Sequence, residues 1–185
     1  MAEPGPGGYL YRAGYLAPAE GAALARRLHS AAGWQRERLH LYGRSVAVPR
    51  LLAWYGEPGL NYRYSGRDHR CDGWLAELAD LAARIAAEHG VDANLVLVNR
   101  YRDGSDYMGW HTDAEQGLGR VIASVSLGAT RRFLLRPPDR EASERLDLEH
   151  GSLLLMDGAL RHALPRTRRP VGERINLTFR RVAPR

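Results

Sequence analysis

The sequence predicts a mainly β, α+β fold: N-terminal helices packed on one sheet of a C-terminal antiparallel sandwich or jelly roll. Two observations predict it. After Asp92, the runs "NLVLVNRY", "RVIASVSLG", "RRFLLRP", "RLDLEHGSLLLMDG" and "RINLTFRRV" are short, β-prone and separated by turn signals. Before Asp92, two stretches repeat small and apolar residues at helical spacing. The chain has 185 residues, 44% hydrophobic and 26% charged, which is enough to build a sizeable core.

Residues 1–8, MAEPGPGG, are expected to form a loose tail, and residues 9–185 a single domain. The segment "PAEGAALARRLHSAAG" predicts a helix, with Pro18 near its start and Gly33 as a stop. Residues 34–66, rich in Tyr, Arg, Gly and Pro, predict short strands and exposed loops. "DGWLAELADLAARIAAEHG" predicts a second helix on the spacing of Leu75, Leu78, Leu81, Ala82 and Ile85, ended by Gly90. Residues 9–91 thus carry helices and loops, and 92–185 the sheet core.

Composition excludes several classes. No apolar run approaches membrane-spanning length, and no basic-then-apolar leader opens the chain, so no membrane partner is expected. Cys71 is the only cysteine, which excludes an internal disulfide and a thiolate-rich zinc site; a cytoplasmic location and a monomer are expected. The net charge of +6 and pI near 9.9 suit a polyanionic partner. All 27 basic residues are arginine, a choice that reflects codon bias more than chemistry.

The final strand carries the most information. Alternation in "RINLTFR" puts Arg174, Asn176, Thr178 and Arg180 on one face and Ile175, Leu177 and Phe179 on the other. A polar face toward water would be ordinary. Facing inward, the two arginines would need an anion, and a small dicarboxylate suits a guanidinium's paired donors. Asn99 and Tyr101 share a face in "NLVLVNRY" and could bind the same anion. His111 and Asp113, two residues apart, also share a face, and His162 offers a third ligand. Two histidines and a carboxylate leave three positions of an octahedral iron open, for a 2-oxo acid and dioxygen. His29, His40, His69, His89 and His150 are weaker candidates.

In order, "NRY" (99–101), "DGSDYMGWHTD" (103–113), "IASVSLGATRRFLLR" (122–136), "HGSLLLMDG" (150–158), His162 and "RINLTFR" (174–180) resemble the AlkB family of Fe(II)/2-oxoglutarate dioxygenases. The upstream "VPRLLAWYG" and "YRYSG" look like its nucleotide-recognition region, and the likeness is greater to members that repair alkylated bases. It spans about residues 39 to 182. The resemblance implies a double-stranded β-helix, with His111, Asp113 and His162 binding Fe(II). It implies that Asn99, Tyr101, Arg174 and Arg180 hold 2-oxoglutarate, with Asn176 and Thr178 lining that face. It implies oxidative demethylation of bases such as 1-methyladenine and 3-methylcytosine in DNA, or in RNA, with release of formaldehyde, succinate and CO2.

A base inside a duplex has to be flipped or presented single-stranded to reach such a centre. Tyr42, beside Gly43, stands where duplex-acting relatives carry an aromatic wedge. Trp54, Tyr62 and Tyr64 are expected to stack on or border the base. Arg44, Arg50, Arg63 and Arg67 are expected at phosphates. Ala114 departs from relatives that carry an acidic residue after the ligand aspartate, which bears on the choice of lesion. Three other readings are open. A 2-oxoglutarate hydroxylase of a protein or small molecule would leave the basic 36–70 region without a role. A zinc hydrolase would leave the paired arginines unexplained. A non-catalytic nucleic-acid-binding module would leave the ligand set without use.

Overall fold

The computed structural model describes residues 4–5, 8–31, 33–41, 44–64, 67–114, 119–138 and 142–183, without the side chains of 39–41, 44–45, 62–64 and 67–68. Along the chain run β1 (Tyr9–Arg12), α1 (Pro18–Ala31), β2 (Arg38–Leu41), β3 (Arg44–Ala47), β4 (Leu51–Gly56), β5 (Asn61–Tyr64), β6 (Arg67–Arg70) and α2 (Ala76–His89). The remaining strands are β7 (Leu95–Tyr101), β8 (Met108–His111), β9 (Val121–Gly128), β10 (Arg131–Arg136), β11 (Glu144–Leu148), β12 (Ser152–Asp157), β13 (Arg161–Leu164) and β14 (Arg174–Arg180).

Both expected helices form. In α2 the stripe Leu78, Leu81, Ala82 and Ile85 is buried. Gly90 closes the helix at φ 72°, donating its N–H to the Ala86 carbonyl, a left-handed position that glycine takes without steric penalty.

Two antiparallel sheets face each other. The larger has the order β1-β12-β9-β14-β7-β4, the smaller β11-β10-β13-β8. The helices cover the outer face of the larger sheet: Leu24, Leu28, Leu78 and Ile85 pack with Val96, Val125, Leu153, Ile175, Leu177 and Phe179. Between the sheets, Ile122, Leu154 and Met156 meet Phe133, Leu135, Leu148 and Leu164. This is a mainly β jelly roll with helices on one sheet. β2–β3 and β5–β6 form two separate hairpins.

Two features differ from expectation. Strands of the core were expected only from residue 92, yet β1 and β4 form the two edges of the larger sheet. The segment expected as a loose tail also has fixed contacts among its described residues. Pro4 is buried and its carbonyl accepts from Arg120; the Gly8 carbonyl accepts from the Asp157 N–H. Among the described residues, no helix is long and apolar enough to cross a membrane.

Candidate active site

β14 lies between β9 and β7 at the middle of the larger sheet, and all seven of its residues are buried. Its alternation therefore sorts two interiors. Ile175, Leu177 and Phe179 join the helix-side core, while Arg174, Asn176, Thr178 and Arg180 line a cavity between the sheets. The polar face meets no open water: Arg174 is 2% exposed and Arg180 3%.

The same cavity is lined by Asn99 and Tyr101 from β7, by His111 and Asp113, and by His162 from β13. His111 ends β8 and lies directly opposite His162 across the β8–β13 ladder, which brings their ring centroids to 4.1 Å. Asp113 is fixed just beyond β8 by its N–H, which donates to the Gly158 carbonyl at 2.8 Å. One ligand atom from each of His111, Asp113 and His162 falls within 4.8 Å of the others. His111 Nε2 is 3.9 Å from one Asp113 oxygen and His162 Nε2 3.6 Å from the other. Each histidine sets its Nδ1 against a backbone carbonyl, Gly109 at 2.9 Å and Leu160 at 2.8 Å. Donation from Nδ1 selects the tautomer whose Nε2 lone pair points at the cluster, the arrangement a metal requires.

Electrostatics agree. Burial lowers the pKa of His111 to about 4, helped by the neighbouring His162; burial also lowers that of His162. Both imidazoles are neutral and able to coordinate. Burial pushes the Asp113 carboxyl up, but the Arg180 guanidinium beside it opposes this, and the carboxyl is held below its ordinary value. Arg180 Nη2 is 2.9 Å from Asp113 Oδ2.

Arg174 has no such partner. It donates Nη2 to Ser126 Oγ at 2.9 Å and lies over the Tyr101 ring at 5.3 Å, and its Nε is buried with no hydrogen bond. No acidic side chain pairs with it among the described residues. Burial, with Arg131 nearby, lowers its pKa to about 10 despite Tyr101, so it stays charged at neutral pH. A buried cation without a counter-ion is costly, and an anion entering the cavity would supply one.

The structure also shows supporting contacts. Asn176 donates to Ser124 Oγ and the Val125 carbonyl and accepts from Thr178, so these residues brace the floor. Sequence reasoning missed Ser124, Ser126 and Arg131, although the alternation of "IASVSL" already puts both serines on one face. Arg131 is 2% exposed and donates to the carbonyls of Asp103, Asp106 and Pro165.

The expected substrate contacts are placed unevenly. Arg50 is 5% exposed and donates Nε to Asn99 Oδ1 at 2.8 Å, which sets it against the polar lining of the cavity. Trp54 stacks on His69 at 4.4 Å, which covers one face of its ring. His69 in turn sits 3.0 Å from the buried Glu37. Ala114 is exposed beside Asp113. Tyr42 and Gly43 lie outside the described residues, as do the side chains of Arg44, Tyr62, Arg63, Tyr64 and Arg67. Of the other candidate histidines, His150 accepts from the Gly128 N–H and contacts the Pro18 carbonyl, tying α1 to β9, and the side chain of His40 lies outside the described residues.

Comparison with known proteins agrees with this geometry. A model of the 2OG-Fe(II) oxygenase superfamily matches residues 8–180. The human DNA oxidative demethylase ALKBH2 is 39% identical over 159 residues, covering 78% of this chain and 61% of the relative. The bovine ALKBH2 is 38% identical over 161 residues, covering 80% and 58%. The rat alpha-ketoglutarate-dependent dioxygenase alkB homolog 3 is 42% identical over 152 residues, covering 74% and 51%. This chain thus spans between half and two thirds of the length of these three. The solved structure of OsALKBH1 superposes with a TM-score of 0.67 at 16% identity, covering 97% of this chain and 99% of that one, a likeness of fold. By its matched span and these relatives, the chain belongs to the AlkB family of the 2OG-Fe(II) oxygenase superfamily.

Proposed function

We propose that this protein removes N-alkyl groups from bases of DNA, or of RNA, by oxidation. The observation that carries the proposal is the meeting of a His, Asp, His cluster and the uncompensated Arg174 in one buried cavity. Two nitrogens and one oxygen suit Fe(II), and the isolated guanidinium suits the distal carboxylate of 2-oxoglutarate, so the donors fit both cofactors.

Bound there, Fe(II) and 2-oxoglutarate would supply, with dioxygen, the oxidising equivalents for hydroxylating the alkyl carbon, which would then leave as an aldehyde. The chain's own residues do the positioning. His111 and His162 present fixed Nε2 lone pairs. Arg180 keeps Asp113 ionised and oriented. Arg174 and Tyr101 would hold the distal carboxylate of the oxoacid, and Arg50, donating to Asn99, orients that amide. Leu97, Phe133, Met156 and Leu164 make the rest of the wall apolar and exclude water. His111 is the partly exposed ligand, its side chain 26% exposed, so the base approaches from its side.

The relatives named DNA oxidative demethylase support the substrate class. The test is formaldehyde release from oligonucleotides carrying 1-methyladenine or 3-methylcytosine, with Fe(II) and 2-oxoglutarate. Release is expected; turnover of 2-oxoglutarate with no repair of any methylated oligonucleotide would move the substrate outside nucleic acid. Tyr42 is proposed to fill the gap left by a flipped base. Tyr42→Ala is then expected to slow duplex repair more than single-strand repair, and equal losses would reject the wedge.

A further inference from the structure

The strands that carry the metal histidines have a second face. His111 and His162 point inward as partners across β8 and β13. Their chain neighbours Trp110 and Arg161 therefore point outward, and Arg136 of β10 lies directly opposite Arg161. Both guanidiniums gather on one indole, Arg136 at 4.8 Å and Arg161 at 5.9 Å from the Trp110 ring. Arg145 of β11, opposite Leu134 of β10, and Arg132 share this face by register. Arg132 reaches Asp147 at 3.6 Å. Arg136, Arg145 and Arg161 have no acidic partner among the described residues, and Arg136 Nε is buried with no hydrogen bond.

Like charges opposed across a ladder repel, so this arrangement is unfavourable unless an anion joins it. Arginines interleaved with an aromatic along a sheet suit a single nucleic-acid strand, with guanidiniums at phosphates. β8 is an edge of its sheet. A strand that delivers one base to His111 can therefore run on around that edge onto the outer face.

We propose that the outer face of the smaller sheet, centred on Trp110, Arg136 and Arg161, binds the sugar-phosphate backbone of the strand whose base enters the cavity. This rests on the nucleic-acid reading above. The indole holds the guanidiniums apart and in place, and the arginines neutralise two phosphates.

The test is fluorescence anisotropy of a labelled single-stranded oligonucleotide carrying 1-methyladenine, as DNA and as RNA, across a salt series. For Arg136→Gln with Arg161→Gln, the salt slope is expected to fall by about 1.4, or about 0.7 for each phosphate no longer neutralised. For the exposed Arg161→Gln alone, the expected fall is about 0.7. Trp110→Ala should weaken binding and Trp110→Phe should restore it. The anaerobic Fe(II)–2-oxoglutarate absorption band, read in parallel, reports an intact fold; should the double variant lack it, Arg161→Gln decides. An unchanged slope with normal wild-type binding overturns this surface alone. Wild-type protein that binds neither oligonucleotide overturns both this surface and the proposed function.

Discussion

Asp113 answers to three partners: it faces both histidine Nε2 atoms and accepts from Arg180 at 2.9 Å. Asp113→Asn keeps the shape and removes the charge. It is expected to abolish the Fe(II)–2-oxoglutarate band. It should also lower the metal-free melting temperature, because breaking a buried pair costs about 3–5 kcal/mol. An unchanged metal-free melting temperature would mean that Arg180 does not depend on Asp113. Arg174 presents the opposite case, a buried cation with a hydroxyl but no carboxylate. Arg174→Met is expected to leave metal-free stability unchanged or higher, while 2-oxoglutarate affinity by anaerobic calorimetry falls about 30-fold, the equivalent of one strong charge-assisted hydrogen bond near 2 kcal/mol. That His111, Asp113, Arg174, Asn176, Thr178 and Arg180 belong together was legible in sequence because His-x-Asp and Arg-x-Asn-x-Thr-x-Arg each lie within one local stretch, and they line one cavity. The side chains that brace them were not: Arg50 reaches Asn99 from 49 positions away, and Arg174 reaches Ser126 from 48. Local alternation shows which face a side chain takes, not which distant group it meets.

At the scale of elements, α2 was legible because its apolar stripe repeats within one helix and Gly90 ends it. β1 and β4 were not recognised as core strands. β1 is four residues long and belongs to the sheet only through β12, more than 140 positions on, and no local periodicity encodes that pairing. The end of α2 also carries a titratable burden. His89 is 2% exposed, and neither ring nitrogen makes a hydrogen bond. Burial lowers its pKa from 6.5 despite Glu88. The unfolded chain therefore binds its proton more readily, so this contribution to stability is present above about pH 6.5 and is lost as pH falls toward the folded pKa. His89→Phe removes that dependence. Between pH 7 and 5 the variant is expected to lose less stability in urea melts than the wild type; equal losses would place the acid sensitivity elsewhere. β9 ends in a second sensitive point. Gly128 has φ 86°, and a Cβ there would run into the Glu173 carbonyl. Gly128→Ala is expected to destabilise the protein by more than the roughly 1 kcal/mol typical of a substitution, which a thermal melt would read directly.

For the whole molecule, the cavity is where the two sheets and distant parts of the chain meet: Asn99 and Tyr101 come from β7, His162 from β13 and Arg174 from β14. Charges at such a junction couple ligand binding to global stability, since ligands that bind only the folded state stabilise it by mass action. At about 100 times the dissociation constant, one ligand adds about 2.7 kcal/mol. In a protein of this size that raises the melting temperature by roughly 5–10 °C. Mn(II) alone, as a redox-inert stand-in for iron, is expected to raise the melting temperature through His111, Asp113 and His162, and 2-oxoglutarate to raise it further through Arg174. The two increments are separable because they rest on different residues. Arg174→Met should keep the metal increment and lose most of the 2-oxoglutarate one, while His162→Ala should lose the metal increment. If Arg174→Met kept both, the oxoacid would be anchored elsewhere in the cavity, and the unpaired guanidinium would have no part in holding it.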